Sequence, residues 1–166
     1  MKQHFYIVID SYYAADNGNT ENIHHLTGHD LSERQVCKLD IANDEIAHMD
    51  YKREWDPCLV GSTKAGRSPL PKDGTGEWMN TVQPVVTCYK VVRVWFKWFG
   101  LQDKMQRSIL KECERYFRNY YRQLVCWTDD FYGLTIEDIR KIEEDTEKEL
   151  QEIRQQGESR GTVFLL

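Results

Sequence analysis

Residues 85–127 decide the fold, and they read VVTCYKVVRVWFKWFGLQDKMQRSILKECERYFRNYYRQLVCW. The first part has the composition of a long β-strand, and four aromatic residues crowd its end before Gly100. From Leu101 onward, apolar residues recur every three or four positions, which is typical of an amphipathic helix. The segment therefore predicts a strand, an aromatic tip (residues 95–100) and a long helix in direct succession.

The predicted strand, Val85–Trp95, has two mostly apolar faces. One face carries Val86, Cys88, Lys90, Val92, Val94 and Phe96. Because strands with two apolar faces are typical of buried sheet positions, we expect this strand to be central in the sheet or covered on both sides. The helix that follows would approach about 40 Å in length, enough to cross a sheet. Its periodicity assigns Arg115, Arg118 and Arg122 to a solvent-exposed face.

Three more elements are predicted outside this segment. Phe5–Tyr13 alternates as a strand, with Ser11 in the same row as Ile7 and Ile9. Val36–Ala42 is a second candidate strand. Thr135 carries a capping signal for a second helix that ends near residue 154. Residues 43–83 read as a long irregular segment, which in a compact domain indicates a functional or partly disordered loop.

Composition excludes several classes of protein. The chain has 166 residues, with 22 basic and 27 acidic side chains and a net charge of −5, so nucleic acid is not an expected partner. No window is apolar enough for a spanning helix, and the N-terminus does not have the pattern of a signal peptide. Five cysteines without a C-x-x-C pair indicate free thiols, no metal site and a cytoplasmic location. No catalytic motif or cofactor fingerprint is present, so we expect neither an enzyme nor a cofactor.

Three polar residues occupy otherwise apolar rows: Lys90, Ser11 and, on the second helix, Glu143. A buried unpaired charge costs several kcal/mol. We therefore expect Lys90 and Glu143 to pair with each other, to have shifted pKa values or to bind a polar ligand. A further alternative is that the Lys90 side chain extends along the apolar surface until its ammonium reaches water. The ligand hypothesis is an apolar cavity in which the lysine and the hydroxyl bind a phosphate and the carboxylate binds sugar hydroxyls.

Two surface features have a structural and a functional interpretation. Trp98 and Phe99 either fasten the helix entry to the core or form an exposed contact with a membrane, which we favour over a protein partner. The stretch from Ser62 to Ser68 is either an exposed flexible loop or a phosphorylation site whose added charge pairs with Lys64 and Arg67.

Several long motifs in unbroken order closely resemble the phosphatidylinositol transfer proteins. They are FYIVIDSYY, ENIHHL, LDIA, DYKREWDP, STKAGRSPL, CYKVVRVWFKWFGLQDK, RQLVCW and LTIEDIRKIEEDT, and together they span roughly residues 1–155. The resemblance implies an α+β fold related to the START domains, in which a curved, largely antiparallel sheet wraps a long helix and encloses one phospholipid. It also implies transfer of phosphatidylinositol and phosphatidylcholine between membranes without covalent chemistry. The phospholipid would be the bound ligand, and the protein would be cytoplasmic and transiently membrane-associated.

The same resemblance implies roles for individual residues. Lys90 matches the family's phosphate-contacting lysine, Ser11 a threonine that ends the matching strand, and Glu143 an inositol-contacting glutamate. Trp98 and Phe99 match a membrane-docking tryptophan pair, with phenylalanine at the second position. Ser62 matches a regulatory serine, although Ala65 and Ser68 depart from the pattern around it.

Met1 aligns with an internal position of the family, so the resemblance implies a domain that is incomplete at its N-terminus. We expect a partial transfer-protein domain at residues 1–155 and an irregular tail at residues 156–166. The chain would be a phospholipid carrier or, alternatively, a truncated, non-transferring isoform that acts as an interaction or decoy module. An open sheet would also expose an edge through which copies could self-associate.

Overall fold

Two antiparallel strands form the sheet in the computed structural model, which describes residues 5–156. Strand β1 comprises Phe5–Ala14 and strand β2 comprises Thr87–Phe96. They pair along their full lengths, with Phe5 opposite Phe96 and Ala14 opposite Thr87. Both strands predicted from the two-residue alternation are confirmed.

The alternation gives the sheet an inner and an outer face. The inner face carries Phe5, Ile7, Ile9, Ser11 and Tyr13 on β1 opposite Phe96, Val94, Val92, Lys90 and Cys88 on β2. At one end of this face the rings of Phe5 and Phe96 meet edge to face with centroids 6.0 Å apart. On the outer face Tyr6 stacks on Trp95 at 6.3 Å.

The sheet is less covered than the sequence predicts. Most side chains of β1 are exposed, and β2 is only half-buried along most of its length. The expectation that β2 is central in the sheet or covered on both faces is wrong for the described residues, since its strand neighbour is β1 alone and no β2 residue is fully buried there. Apolar composition indicated burial here, but it does not specify what covers a strand.

Within residues 5–156 the structure has five helices besides the two strands. They are α1 (Gly28–Ser32), α2 (Trp78–Thr81), α3 (Gln102–Cys126), α4 (Thr128–Phe131) and α5 (Ile136–Gln156), with a 3₁₀ turn at Arg53–Trp55. Helix α3 packs against the inner face of β2, where the Gln106 side chain donates to the carbonyl of Val94. Among residues 5–156, no helix is long and apolar enough to cross a membrane.

The start of α5 is capped as predicted. The Thr135 hydroxyl accepts the Asp138 backbone N–H at 3.2 Å, and the Asp138 carboxylate accepts the Thr135 N–H at 2.9 Å. This reciprocal pair satisfies donors that a helix start leaves free.

The Val36–Ala42 segment is not a strand, and this prediction is wrong. Asp40 accepts hydrogen bonds from the backbone N–H groups of Ala42 and Asn43 and from the indole of Trp78. These bonds close a turn where the strand would have continued, because an aspartate side chain competes with the ladder for backbone donors. Ala42, Leu70 and Trp78 form a small buried core beside this turn.

Arginines of α3 hold the irregular segment that includes residues 43–56. Arg118 pairs with Asp44, Arg115 with Asp50, and Arg122 with Asp56. The periodicity placed all three on a solvent-exposed face, which is wrong for Arg122, since only 6% of it is exposed. A buried guanidinium on a helix requires a partner, and Asp56 supplies it at 2.9 Å.

The chain divides into two compact units. Residues up to Asp129 form the first, which contains the sheet and α3, and residues from Asp130 onward form the second, which contains α5. Apart from Gln156, which ends α5, the tail predicted at residues 156–166 lies outside the described residues.

Candidate functional site

Lys90 and Ser11 face each other across the two strands. Their positions are opposite in the antiparallel register, and both side chains point to the inner face. The Lys90 Nζ donates a hydrogen bond of 2.7 Å to the Ser11 Oγ. The sequence placed both residues on apolar strand faces, and the structure brings them into direct contact.

Aromatic rings from α3 surround the Lys90 ammonium. Its Nζ lies 4.9 Å from the ring centroid of Phe117 and 5.7 Å from that of Tyr121. Phe117 and Tyr121 are four residues apart, so they lie on the same face of the helix. A cation over aromatic faces is attracted by their negative quadrupole, and this attraction helps hold the extended lysine side chain in place.

Within residues 5–129, the contacts of Lys90 are one hydroxyl and two aromatic rings, and no carboxylate is among them. The site thus presents a positive charge and a hydroxyl on an apolar surface. Ser11 itself is exposed, so the contact is open to an incoming ligand. This combination suits an anionic group attached to an apolar molecule.

Sequence reasoning missed a hydrogen-bonded group beside Lys90. The Tyr121 hydroxyl donates to the Cys88 Sγ at 2.9 Å and lies 3.1 Å from the Tyr13 hydroxyl. Burial raises the pKa of Tyr121 most, and the bonds to Cys88 and Tyr13 raise it further. The four-residue spacing from Phe117 could have identified Tyr121, but only the strand register brings Tyr13 and Cys88 to it.

Glu143 lies on α5, in the second unit. Its side chain is exposed, as are the apolar side chains of Ile139, Ile142 and Leu150 on the same helix. Helix α5 therefore has the predicted apolar row, and most of its apolar side chains are exposed among residues 136–156, although Ile153 is half-buried. The role of Glu143 stays a prediction.

The aromatic tip is exposed at its end. Trp98 is 64% exposed and Phe99 is fully exposed. Gly100 has a φ of 76°, a left-handed conformation that favours glycine and turns the chain into α3. Of the two interpretations, a fastening to the core is wrong for Trp98 and Phe99, because fastening would bury them.

Ser62 itself is buried, so the interpretation as an exposed loop is wrong at this residue, whereas Thr63, Lys64, Gly66 and Ser68 of the same loop are exposed. Only 3% of Ser62 is exposed, and its hydroxyl donates to the Asp129 carboxylate. The same carboxylate accepts the backbone N–H groups of Thr63 at 3.0 Å and Lys64 at 3.1 Å. These bonds, that of Ser62 above all, lower the pKa of Asp129.

Two comparisons with known proteins indicate the same family for this chain. A sequence model described as "Phosphatidylinositol transfer protein" matches residues 1–148 of the chain. The human phosphatidylinositol transfer protein beta isoform is 40% identical over 164 residues, which cover 98% of this chain and 60% of that protein.

Relatives from Dictyostelium discoideum give the same result. Phosphatidylinositol transfer protein 1 of Dictyostelium discoideum is 38% identical over 152 residues, covering 89% of this chain and 57% of that protein. Phosphatidylinositol transfer protein 2 of the same organism is 41% identical over 143 residues, which cover 86% of this chain and 53% of that protein. The chain thus spans 53–60% of the length of these relatives.

Proposed function

Because the chain belongs to the phosphatidylinositol transfer protein family, we propose that it binds one phospholipid, phosphatidylinositol or phosphatidylcholine, and carries it between membranes. The names of its relatives favour this function over a non-transferring interaction or decoy module. Transfer requires binding and release without covalent chemistry, so the proposed protein is a carrier and not an enzyme.

One observation carries the proposal: the Lys90 ammonium has a serine hydroxyl and aromatic rings for neighbours and no carboxylate within residues 5–129. A phosphodiester is the part of a phospholipid that such a cation attracts. The inner face around Lys90, with Ile9, Val92 and Val94, offers apolar surface for the adjoining acyl chains. Lys90 and Ser11 are therefore the proposed contacts of the lipid phosphate.

The headgroup and the membrane are assigned to other parts of the chain. Glu143 is the proposed contact of the inositol hydroxyls, which would donate hydrogen bonds to its carboxylate. Trp98 and Phe99 are the proposed membrane contact, since exposed aromatic side chains favour the interface of a bilayer. The protein would then be cytoplasmic and bind membranes transiently. A START-like sheet that encloses the lipid is the proposed fold of the lipid-bound protein.

Ser62 is the proposed site of regulation by phosphorylation. A phosphate on its hydroxyl would lie against the Asp129 carboxylate, and the like charges would repel each other. Because the hydroxyl is buried, a kinase reaches it only after the loop opens. Phosphopeptide mass spectrometry tests this, with faster labelling expected in an Asp129→Asn variant; equal labelling of both proteins contradicts it.

The proposed function is tested by transfer of labelled phosphatidylinositol and phosphatidylcholine between vesicles. We expect transfer by the wild-type chain and a loss of about tenfold or more for both lipids in Lys90→Met, since both share the phosphate. Lys111→Met, which removes an exposed lysine from α3, is the matched control and should transfer normally. No transfer by the wild-type chain, or equal transfer by Lys90→Met, overturns the proposal.

A further inference from the structure

The Tyr121 ring lies beside the Lys90 ammonium, and its hydroxyl lies at the next pair of residues on the inner face of the sheet. Ser11 and Lys90 form one pair of the sheet, and Tyr13 and Cys88 form the next pair on the same face. Such pairs are about 7 Å apart along the strands. Tyr121 reaches the second pair from α3 through its hydrogen bonds to Cys88 and Tyr13, while its ring centroid lies 5.7 Å from the Lys90 Nζ.

This hydrogen-bond chain ends on a weak acceptor. The Tyr121 hydroxyl donates to the Cys88 sulfur, so its own oxygen is left to accept from Tyr13. Sulfur is a poor acceptor, whereas a phosphate oxygen is a strong one and the bond to it is charge-assisted. The Tyr121 hydroxyl therefore makes a stronger hydrogen bond when it rotates away from the Cys88 thiol and donates to a phosphate oxygen.

Tyr121 is also a neutral donor at physiological pH. Burial raises its pKa above the ordinary value of a tyrosine, with the bonds to Cys88 and Tyr13 adding to the effect. The phenol keeps its proton and carries no negative charge that would repel a phosphate. The half-buried environment of Tyr121 thus maintains a donor beside the lysine.

We propose that the Tyr121 hydroxyl is a second contact for the phosphate of the lipid held at Lys90. This inference rests on the proposed phospholipid binding and adds to that site a residue that the sequence motifs did not identify. Lys90 belongs to β2 and Tyr121 to α3, so a phosphate held by both would link the helix to the sheet. Lipid binding would then stabilise the packing of α3 on β2.

The test compares Tyr121→Phe with wild type, because this substitution keeps the ring over Lys90 and removes only the hydroxyl. Tyr120→Phe is the matched control, since Tyr120 is the adjacent, more exposed tyrosine and stacks on Tyr116. Uptake of phosphatidylcholine from vesicles and the ³¹P resonance of the bound lipid are measured. We expect Tyr121→Phe to take up lipid about tenfold more weakly and to shift the ³¹P resonance, and Tyr120→Phe to change neither.

The outcomes separate this inference from the proposed function. Unchanged uptake and an unchanged ³¹P resonance in Tyr121→Phe, with lipid bound by wild type, overturn the Tyr121 contact alone. Weaker uptake with an unchanged ³¹P resonance also overturns it, because the tyrosine would then support packing and not touch the phosphate. A wild-type chain that takes up no phospholipid overturns the proposed function and this inference together.

Discussion

Lys90 is the residue on which the proposed lipid site depends. Lys90 is half-buried as a residue on an apolar face, where an uncompensated charge is costly. Ser11, Phe117 and Tyr121 offset part of that cost through one hydrogen bond and two ring contacts. A bound phosphate would compensate the charge itself, so the free protein should be less stable than the protein with lipid.

Glu143 provides a prediction about headgroup selectivity. The inositol headgroup has free hydroxyl groups that donate hydrogen bonds to a carboxylate, whereas the choline headgroup of the lipid has none. We therefore expect Glu143→Ala to lower phosphatidylinositol transfer by about tenfold and phosphatidylcholine transfer much less, as measured between vesicles. Glu144→Ala, at the adjacent exposed position of α5, is the control. Equal loss of both lipids in Glu143→Ala would count against the inositol role.

Single residues show where sequence patterns succeed and where they fail. The two-residue period of a strand was enough to put Lys90 and Ser11 on apolar rows. The burial of Ser62 and Arg122 was not predictable from period or polarity, because it depends on Asp129 and Asp56, which lie 67 and 66 residues away in sequence. The position of Tyr121 beside Lys90 was not predicted for a related reason. Its hydrogen-bond partners, Tyr13 and Cys88, lie on two different strands that are distant from it in sequence.

At the scale of elements, the connection between β2 and α3 is exposed at the aromatic tip. If the tip enters a bilayer interface, replacing Trp98 and Phe99 together by alanine removes two apolar side chains from the contact. We expect vesicle binding to weaken by at least about tenfold in a sedimentation assay, while the thermal unfolding temperature stays unchanged.

The control for the tip replaces Val36 and Met49 by alanine, because these apolar residues are similarly exposed elsewhere. That variant should bind vesicles like wild type. Vesicle binding that is equal in the tip variant and in wild type would exclude the tip as the membrane contact.

The arginines of α3 lead to a prediction about stability. In the pair with Asp56, the Arg122 and Asp56 side chains are 7% and 14% exposed. Removing one partner of a buried pair leaves the other charge uncompensated, so Arg122→Gln should lower the free energy of unfolding by about 3 kcal/mol. Urea denaturation measures this, with Arg107→Gln on the exposed side of α3 as control. A loss no greater than that of Arg107→Gln would be inconsistent with a structural role for the pair.

Periodic elements were predictable, and the irregular segment was not. β1, β2, α3 and α5 each repeat a pattern over ten or more residues, so their spacing determines their type. Val36–Ala42 is short, and the side chain of Asp40 was enough to convert it into a turn. Hydrogen bonds of this kind, from a side chain to the backbone, do not change the apolar–polar pattern of the sequence and so cannot be predicted from it.

At the scale of the whole molecule, the sheet edges are open within residues 5–156. β1 pairs with β2 on one side, and its other edge has no strand partner in the described part of the chain. β1 carries one charged residue, Asp10, and open edges with few charges tend to pair with another chain. We propose that two copies of this chain associate through this edge.

Light scattering after size-exclusion chromatography tests this association. The wild-type chain should show a mass that rises with concentration, and Tyr12→Lys should remain monomeric because the added charges repel each other across the edge. Tyr132→Lys, at a position as exposed as Tyr12, is the control and should associate normally. A monomeric wild-type chain at every concentration would disprove the association.

Native mass spectrometry of the purified protein shows whether this chain holds a phospholipid through Lys90. We expect one bound phospholipid per chain, with the mass of phosphatidylinositol or phosphatidylcholine, in wild type and in Lys111→Met. We expect strongly reduced occupancy in Lys90→Met. A wild-type chain without bound phospholipid, or undiminished occupancy in Lys90→Met, would rule out this binding site.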